Sequence, residues 1–258
     1  MLHEFDGEEY RNASLHQKEW GNQIISELQF RGDERVLDLG CGDGAITALL
    51  AARVPRGSVL GIDASQGMVN AALNHRMPNL AFKLKDINNL DYEDEFDLVF
   101  SNASLHWVKD HKALLHRTYT SLKKGGLLRF NFAAAGNCAT FFEIVKETME
   151  LPQYRGYFQN FEWPWYMPEI KEYQAVLKEL PYREVKVWGE NADRYFPDAD
   201  TIVRWIDQPS LVPFKAILQP PSRGFFRDLV AHKMLEATKQ ADGTYFETFR
   251  RINVSARK

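Results

Sequence analysis

Arg35-Val36-Leu37-Asp38-Leu39-Gly40-Cys41-Gly42-Asp43-Gly44, running into Ala45 to Arg53, is the stretch that decides how this chain folds. A short apolar run meets a glycine-rich turn, and a helical pattern follows, as in the opening of a nucleotide-binding crossover. Glycines permit the tight turn and let the backbone approach a ligand that any side chain would displace. The helix start adds free N–H donors and the positive end of a dipole. Further on, the apolar run Ser58-Val59-Leu60-Gly61-Ile62 ends in Asp63, whose carboxylate can accept both hydroxyls of a ribose. An adenosine derivative is the expected ligand.

The glycines admit two readings. Gly40-x-Gly42-x-x-Ala45 satisfies the dinucleotide fingerprint, with Asp63 on the ribose of NAD. Asp38-x-Gly40-x-Gly42-x-Gly44 is the alternative, and residues further along the chain separate the two.

Outward from the turn, apolar runs and helical patterns alternate. Leu15, Trp20, Ile24, Ile25 and Leu28 precede the turn at near-helical spacing, and Ser65 can cap a helix through Met68, Val69, Ala72 and Leu73. Leu80 to Leu84 is a third strand, followed by Asp86 and Ile87, and Phe96 to Phe100 is a buried fourth strand ending at Ser101-Asn102. Asp110 opens a helix, and Lys123-Lys124-Gly125-Gly126 is expected as a turn into a fifth strand, Leu127 to Phe132. Alternation returns at Glu184 to Trp188 and from Tyr245 to Val254, and the second of these is expected to run antiparallel. The expected fold is α/β: a doubly wound, Rossmann-like, mostly parallel sheet of seven strands with a helical cap formed by insertions. Residues 1–136 form the nucleotide-binding core with its N-terminal helical segment, 137–182 and 191–240 the cap, and 183–190 and 241–258 the final strands, in one integrated domain.

Composition narrows the class. The 258 residues carry a net charge of −3 and 45% hydrophobic residues, without a basic stripe for nucleic acid. No apolar run approaches the roughly 20 residues of a membrane span, and the N-terminus lacks an apolar signal core, so a cytoplasmic protein is expected. Cys41 and Cys138 lack metal-ligand spacing, and no metal is expected.

The glycine string, Asp63, Asp86, the polar and aromatic run Ser101-Asn102-Ala103-Ser104-Leu105-His106-Trp107 and the Gly125-Gly126 pair occur in the order found in class I S-adenosylmethionine-dependent methyltransferases, which the chain resembles. Within that family it most resembles trans-aconitate methyltransferases, and more loosely juvenile hormone acid methyltransferases. The segments carrying this are Asn102 to Asp110, Pro197 to Trp205, Leu211-Val212-Pro213-Phe214, and Asp242-Gly243 through Phe249-Arg250-Arg251 to Arg257. Tyr10 to Trp20 and the aromatic 154–166 stretch depart from the trans-aconitate pattern.

The resemblance implies S-adenosylmethionine as cofactor and S-adenosylhomocysteine as product. It places Asp38, Gly40, Cys41, Gly42, Asp63, Ala64, Met68, Asp86, Ile87, Asn102 and Trp107 around the cofactor; Gln17 and Trp20 are read as closing over it from the N-terminal helix, against a reading as packing residues. His106 is the candidate catalytic residue, as a base or an acceptor-positioning group, against a reading as a packed structural histidine. The expected acceptor is a small molecule, foremost the carboxylate of a small organic acid, which is ionised at neutral pH and needs no base. Arg194, Tyr195, Arg204, Trp205 and Arg251 are the candidates to hold it, against a reading of the arginines as surface residues. A larger apolar acceptor (a quinone precursor or carrier-bound acyl group) would suit the aromatic 154–166 run. Outside the class stand an NAD-dependent oxidoreductase and a non-catalytic protein that binds S-adenosylmethionine. Oligomeric state is left open.

Overall fold

The structure, a computed structural model, describes the backbone of residues 15–258 and the side chains of 18–207 and 210–258. The described residues divide into two compact units: residues 15–135, 165–190 and 251–258, and residues 136–164 and 191–250.

In the first unit the elements follow as α1 (Leu15–Glu27), β1 (Arg35–Leu39), α2 (Ala45–Arg53), β2 (Ser58–Asp63), α3 (Gln66–Ala72), β3 (Leu80–Leu84), β4 (Phe96–Asn102), α4 (His111–Ser121) and β5 (Leu122–Ala133). Among the described residues they join, with β6 (Arg183–Asn191) and β9 (Arg250–Arg257), into a seven-stranded sheet of order β3-β2-β1-β4-β5-β9-β6. β1 to β5 pair in parallel, and β9 lies antiparallel to β5. The strand order reverses between β1 and β4, the switch point where open α/β sheets bind ligands.

The two-residue period of a strand assigns the faces. Leu37, Leu39, Val99, Phe130 and Phe132 join one core cluster, to which α4 and α6 (Ile170–Lys178) contribute Leu114, Leu115, Tyr173 and Leu177. On the other face Val36, Val59, Leu98 and Phe100 meet Ile24 and Ile25 of α1 and Leu50 of α2. Each such side chain, fully buried, stabilises the fold by about 1.5–3 kcal/mol. In β5 and β9 the same period sets Arg129, Asn131, Arg251 and Asn253 against Leu128, Phe130, Ile252 and Val254, and all eight are buried. The polar members therefore do not face water. They meet one another.

Helix starts follow their caps: Ser65 Oγ accepts from Met68 N at 3.3 Å, and Asp110 from Ala113 N at 2.9 Å. Gly125-Gly126, expected as a turn, lies inside β5, where Gly125 takes φ 82° and donates to Lys258 O. The glycines tolerate an irregularity there that keeps the strand paired instead of ending it.

In the second unit α5 (Ala139–Met149) and α9 (Pro220–Thr238) bury Phe141, Ile144, Phe226, Val230 and Met234. β7 (Arg194–Phe196) pairs antiparallel with β8 (Tyr245–Glu247), and α7 (Ala199–Trp205) and α8 (Val212–Lys215) lie between them in sequence. Buried Glu247 accepts from Phe141 N at 2.9 Å and Thr248 N at 2.7 Å, so a carboxylate caps the start of α5. The boundaries differ from the sequence reading in two places. Residues 165–182 belong to the first unit instead of a cap, because Tyr173, Leu177 and Tyr182 enter the sheet core. Tyr245–Glu247 pairs with β7, so of residues 241–258 only β9 joins the main sheet.

Candidate functional site

Backbone conformation builds the glycine turn. Gly40, Gly42 and Gly44 take φ of 71°, 55° and 79°, the left-handed region that only glycine enters freely. Gly40 N and Cys41 N both donate to Ile62 O, at 2.8 and 2.9 Å, tying the turn to the end of β2. Asp63 closes it: one carboxylate oxygen accepts from Gly42 N at 3.0 Å, the other from Ser65 N at 2.9 Å. Two of the glycines serve different ends. A Cβ on Gly40 would lie 1.8 Å from Ser104 Oγ, whereas one on Gly42 would meet nothing within 4 Å. Gly40 admits the 103–107 segment, and Gly42 keeps a concavity open in front of Asp63.

Asp38 faces α2, as the period of β1 requires, and accepts from Thr47 Oγ1 at 2.7 Å. Burial pushes its carboxyl up to about 7, and Asp63 adds to the shift against the Thr47 hydrogen bond. Burial likewise pushes the Cys41 thiol well above its ordinary value, so this cysteine is a packed group and not a thiolate. Ala64 connects Asp63 to the cap of α3, on which Met68 is buried. Asp86 follows β3 and accepts from Asn88 N at 2.8 Å, opening the single turn Ile87–Asn89. Ile87 is buried. Open space at Gly42, a carboxylate at the end of β2 and a second one beside an apolar side chain after β3 fit an adenosine: ribose on Asp63, adenine against Ile87 and Asp86.

The carboxyl end of β4 supplies the neighbouring wall. Asn102 ends the strand and Ala103, at φ 57°, turns the chain with its N–H bound to Asn131 O at 2.7 Å. A non-glycine residue in that region costs about 1–3 kcal/mol and persists where its surroundings hold it. The Leu105–Trp107 turn is held by two groups: Tyr166 N donates to His106 O at 2.8 Å, and His111 Nε2 lies 2.9 Å from Leu105 O. Trp107 packs against His106 and Trp165. His106 Nδ1 is enclosed and has no hydrogen-bond partner among the described residues. Burial, with the Arg251 charge acting on it, lowers the imidazole to about 3, so it is neutral at physiological pH.

Arg251 is buried beside this turn, with its guanidinium 4.2 Å from the ring centre of Trp20. Its Nε and Nη2 both donate to Asn131 Oδ1, the former at 2.9 Å. α1 brings Trp20 here through a close approach at Gly21, where a Cβ would sit 2.5 Å from Ile46 Cδ1 and 3.1 Å from Asn102 Nδ2. Gln17 is on the same helix, and its side chain lies outside the described residues. The first unit thus brings together all the expected cofactor positions whose side chains are described, along with His106 and Arg251.

The remaining acceptor candidates belong to the second unit. Arg194 opens β7, and Tyr195 is 65% exposed with its ring on Phe246. Arg204 is exposed and donates to Thr201 Oγ1 at 3.0 Å within its own helix. Trp205 is a core residue there, packed against Phe141, Phe196 and Phe249. Sequence reading missed Ser104, Asn131, His111 and Tyr166. Ser104 lies within the 101–107 run and Tyr166 within the aromatic 154–166 stretch, and Asn131 is a polar residue alternating with apolar ones in the fifth strand.

A family profile described as a methyltransferase domain matches residues 36–126, the stretch from β1 through β4 into β5. The chain is 31% identical over 228 residues to a trans-aconitate 2-methyltransferase of Deinococcus radiodurans, covering 86% of each chain. It is 32% identical to a trans-aconitate 2-methyltransferase of Methylobacterium radiotolerans, over 92% of this chain and 91% of that one. Among solved structures, the YcgJ protein of Bacillus subtilis superposes with a TM-score of 0.63 at 17% identity, covering 93% of this chain and 98% of that one. Phosphoethanolamine N-methyltransferase 2 of Haemonchus contortus, solved with S-adenosylmethionine, gives a TM-score of 0.57 at 19% identity, over 93% and 52% of the two chains. At these identities the structural likeness speaks to fold.

Proposed function

The chain belongs to the S-adenosylmethionine-dependent methyltransferases, and we propose that it methylates the carboxylate of a small organic acid resembling trans-aconitate, giving a methyl ester. Membership of that family sets aside the nicotinamide reading of the glycine turn. The cofactor supplies a methyl group already activated on a sulfonium centre. What the protein adds is alignment and exclusion of water.

The observation that carries the acceptor class is the buried Arg251 guanidinium, held on the Trp20 ring and by Asn131. A guanidinium fixed by the Trp20 ring and by Asn131 presents a planar cationic donor to a carboxylate. His106, neutral beside it, offers an uncharged ring nitrogen for orientation. An ionised carboxylate carries its own nucleophilic lone pair, so His106 positions and does not abstract. Gly42 and Asp63 hold the ribose, and Asp86 and Ile87 the adenine.

The test is methyl transfer from S-adenosylmethionine to a panel of trans-aconitate, other di- and tricarboxylic acids, long-chain acids and neutral phenols, with esters identified by mass spectrometry. Ester formed on the small acids at the highest kcat/KM supports the reading. Transfer confined to the long-chain or neutral acceptors would replace it with the apolar alternative.

A further inference from the structure

The polar residues on one face of β5 and β9 form a chain whose hydrogen-bond direction is forced from its far end. Arg129 can only donate, and its Nη1 lies 3.0 Å from Asn253 Oδ1. Glu190 as a carboxylate can only accept, and its Oε2 lies 3.0 Å from Asn253 Nδ2. These two groups fix which end of the Asn253 amide is oxygen. That oxygen, facing Asn131, must receive Asn131 Nδ2, at 2.9 Å. With its nitrogen so engaged, Asn131 turns its own oxygen toward Arg251 and accepts from Nε and Nη2. Arg129 is itself held by Glu27 at 3.0 Å and by Trp188, 4.9 Å from its ring centre. Arg129, Asn131, Arg251 and Asn253 are each no more than 4% exposed, so a reversed amide would face buried donors with donors.

We propose that Asn131 is the positioning residue of the acceptor end, setting the plane and direction of the Arg251 guanidinium, with Asn253 fixing the sense of the Asn131 amide. The Asn131 oxygen and the Trp20 ring both bear on the guanidinium, one in its plane of donors and the other against its charge. This inference rests on the proposed acid acceptor for its kinetic consequence, but not for its structural one.

Two measurements separate them. The first is a double-mutant cycle on the steady-state kinetics with trans-aconitate, using Asn131→Leu, which keeps the shape and cannot accept, and Arg251→Lys. Asn131→Leu is expected to raise the acceptor KM at least about 10-fold, with kcat falling less and the S-adenosylhomocysteine Kd within about twofold. In the Arg251→Lys background it should add nothing further. The second is the Arg251 Nε–H resonance in a 1H–15N spectrum, assigned by its loss in Arg251→Lys. It should be protected from exchange in the wild type, lost in Asn131→Leu and retained in Asn131→Asp, which restores an accepting oxygen. Asn131→Ser replaces the leucine variant if that one does not fold. Additive KM effects, or an Nε–H signal indifferent to Asn131→Leu, would overturn the inference and leave the acid acceptor standing. If the wild type esterifies no small acid, the acceptor reading fails, and the Nε–H signal alone decides whether Asn131 positions Arg251.

Discussion

The two ends of the first unit's site are made of different material. The proposed cofactor end is backbone: left-handed glycines, N–H groups tied to Ile62 O, and Asp63 accepting from Gly42 and Ser65. The proposed acceptor end is side chains from four places in the sequence: Trp20, His106, Asn131 and Arg251. A backbone site is encoded locally and depends on residues too small to be replaced. A side-chain site is encoded at a distance and can change its ligand one substitution at a time.

The largest expected effect breaks the cofactor end. Gly40→Ala places a Cβ 1.8 Å from Ser104 Oγ at φ 71°, so the 103–107 segment must move as well. S-adenosylhomocysteine affinity should fall more than about 100-fold by calorimetry, given a left-handed cost of about 1–2 kcal/mol before any clash. Gly42→Ala, at φ 55° but with open space around it, should weaken the ligand and lower the melting temperature less than Gly40→Ala, since it carries the left-handed cost without a clash.

Asp63→Ala comes next. A charge-assisted hydrogen bond is worth about 1.5–3 kcal/mol, so S-adenosylhomocysteine should bind roughly 10- to 100-fold more weakly. Trans-aconitate KM, measured at saturating cofactor, should move little. Equal losses of both would show that the two ends are not separable.

Titration sharpens the contrast further, because the ends oppose each other. Asp38 at the cofactor end is raised from 3.8 to about 7, so the native state binds more protons and stability falls as pH rises from about 4 to 7. His106 and His111 at the acceptor end are lowered from 6.5 to about 3 and 4, so the unfolded state binds more protons and stability falls as pH drops below about 6.5. Melting curves across this range should show Asp38→Asn flattening the neutral limb and His106→Gln the acid limb.

The smallest effect is expected in the second unit. Arg204 is exposed and bonds to Thr201 within its own helix, so Arg204→Ala should change acceptor KM less than about twofold. A larger change would move part of acceptor binding onto that unit.

This difference in material explains what could be read from the sequence. The sheet was readable because buried parallel strands are continuous apolar runs, and the turn because glycine at Gly40, Gly42 and Gly44 has few other uses. The Gly125-Gly126 pair misled, since the same freedom that makes a turn also permits a bulge inside β5. Arg251 was found through resemblance, yet its bond to Asn131 was not, because 120 positions separate the two and neither residue signals the other. Tyr245–Glu247 alternates as a sheet strand would, and alternation does not say which sheet.

The antiparallel β9 has a consequence in time. A parallel strand delivers its last residues to the ligand edge of the sheet, whereas β9 delivers its first ones, with Arg251 opposite Ala133. During synthesis β1 to β5 leave the ribosome more than 100 residues before β9, at about 5–20 residues per second. A nascent chain would therefore own a glycine turn and Asp63 many seconds before it owns a guanidinium for the acceptor. The acceptor arginine is thus made long after the glycine turn with which it shares a unit.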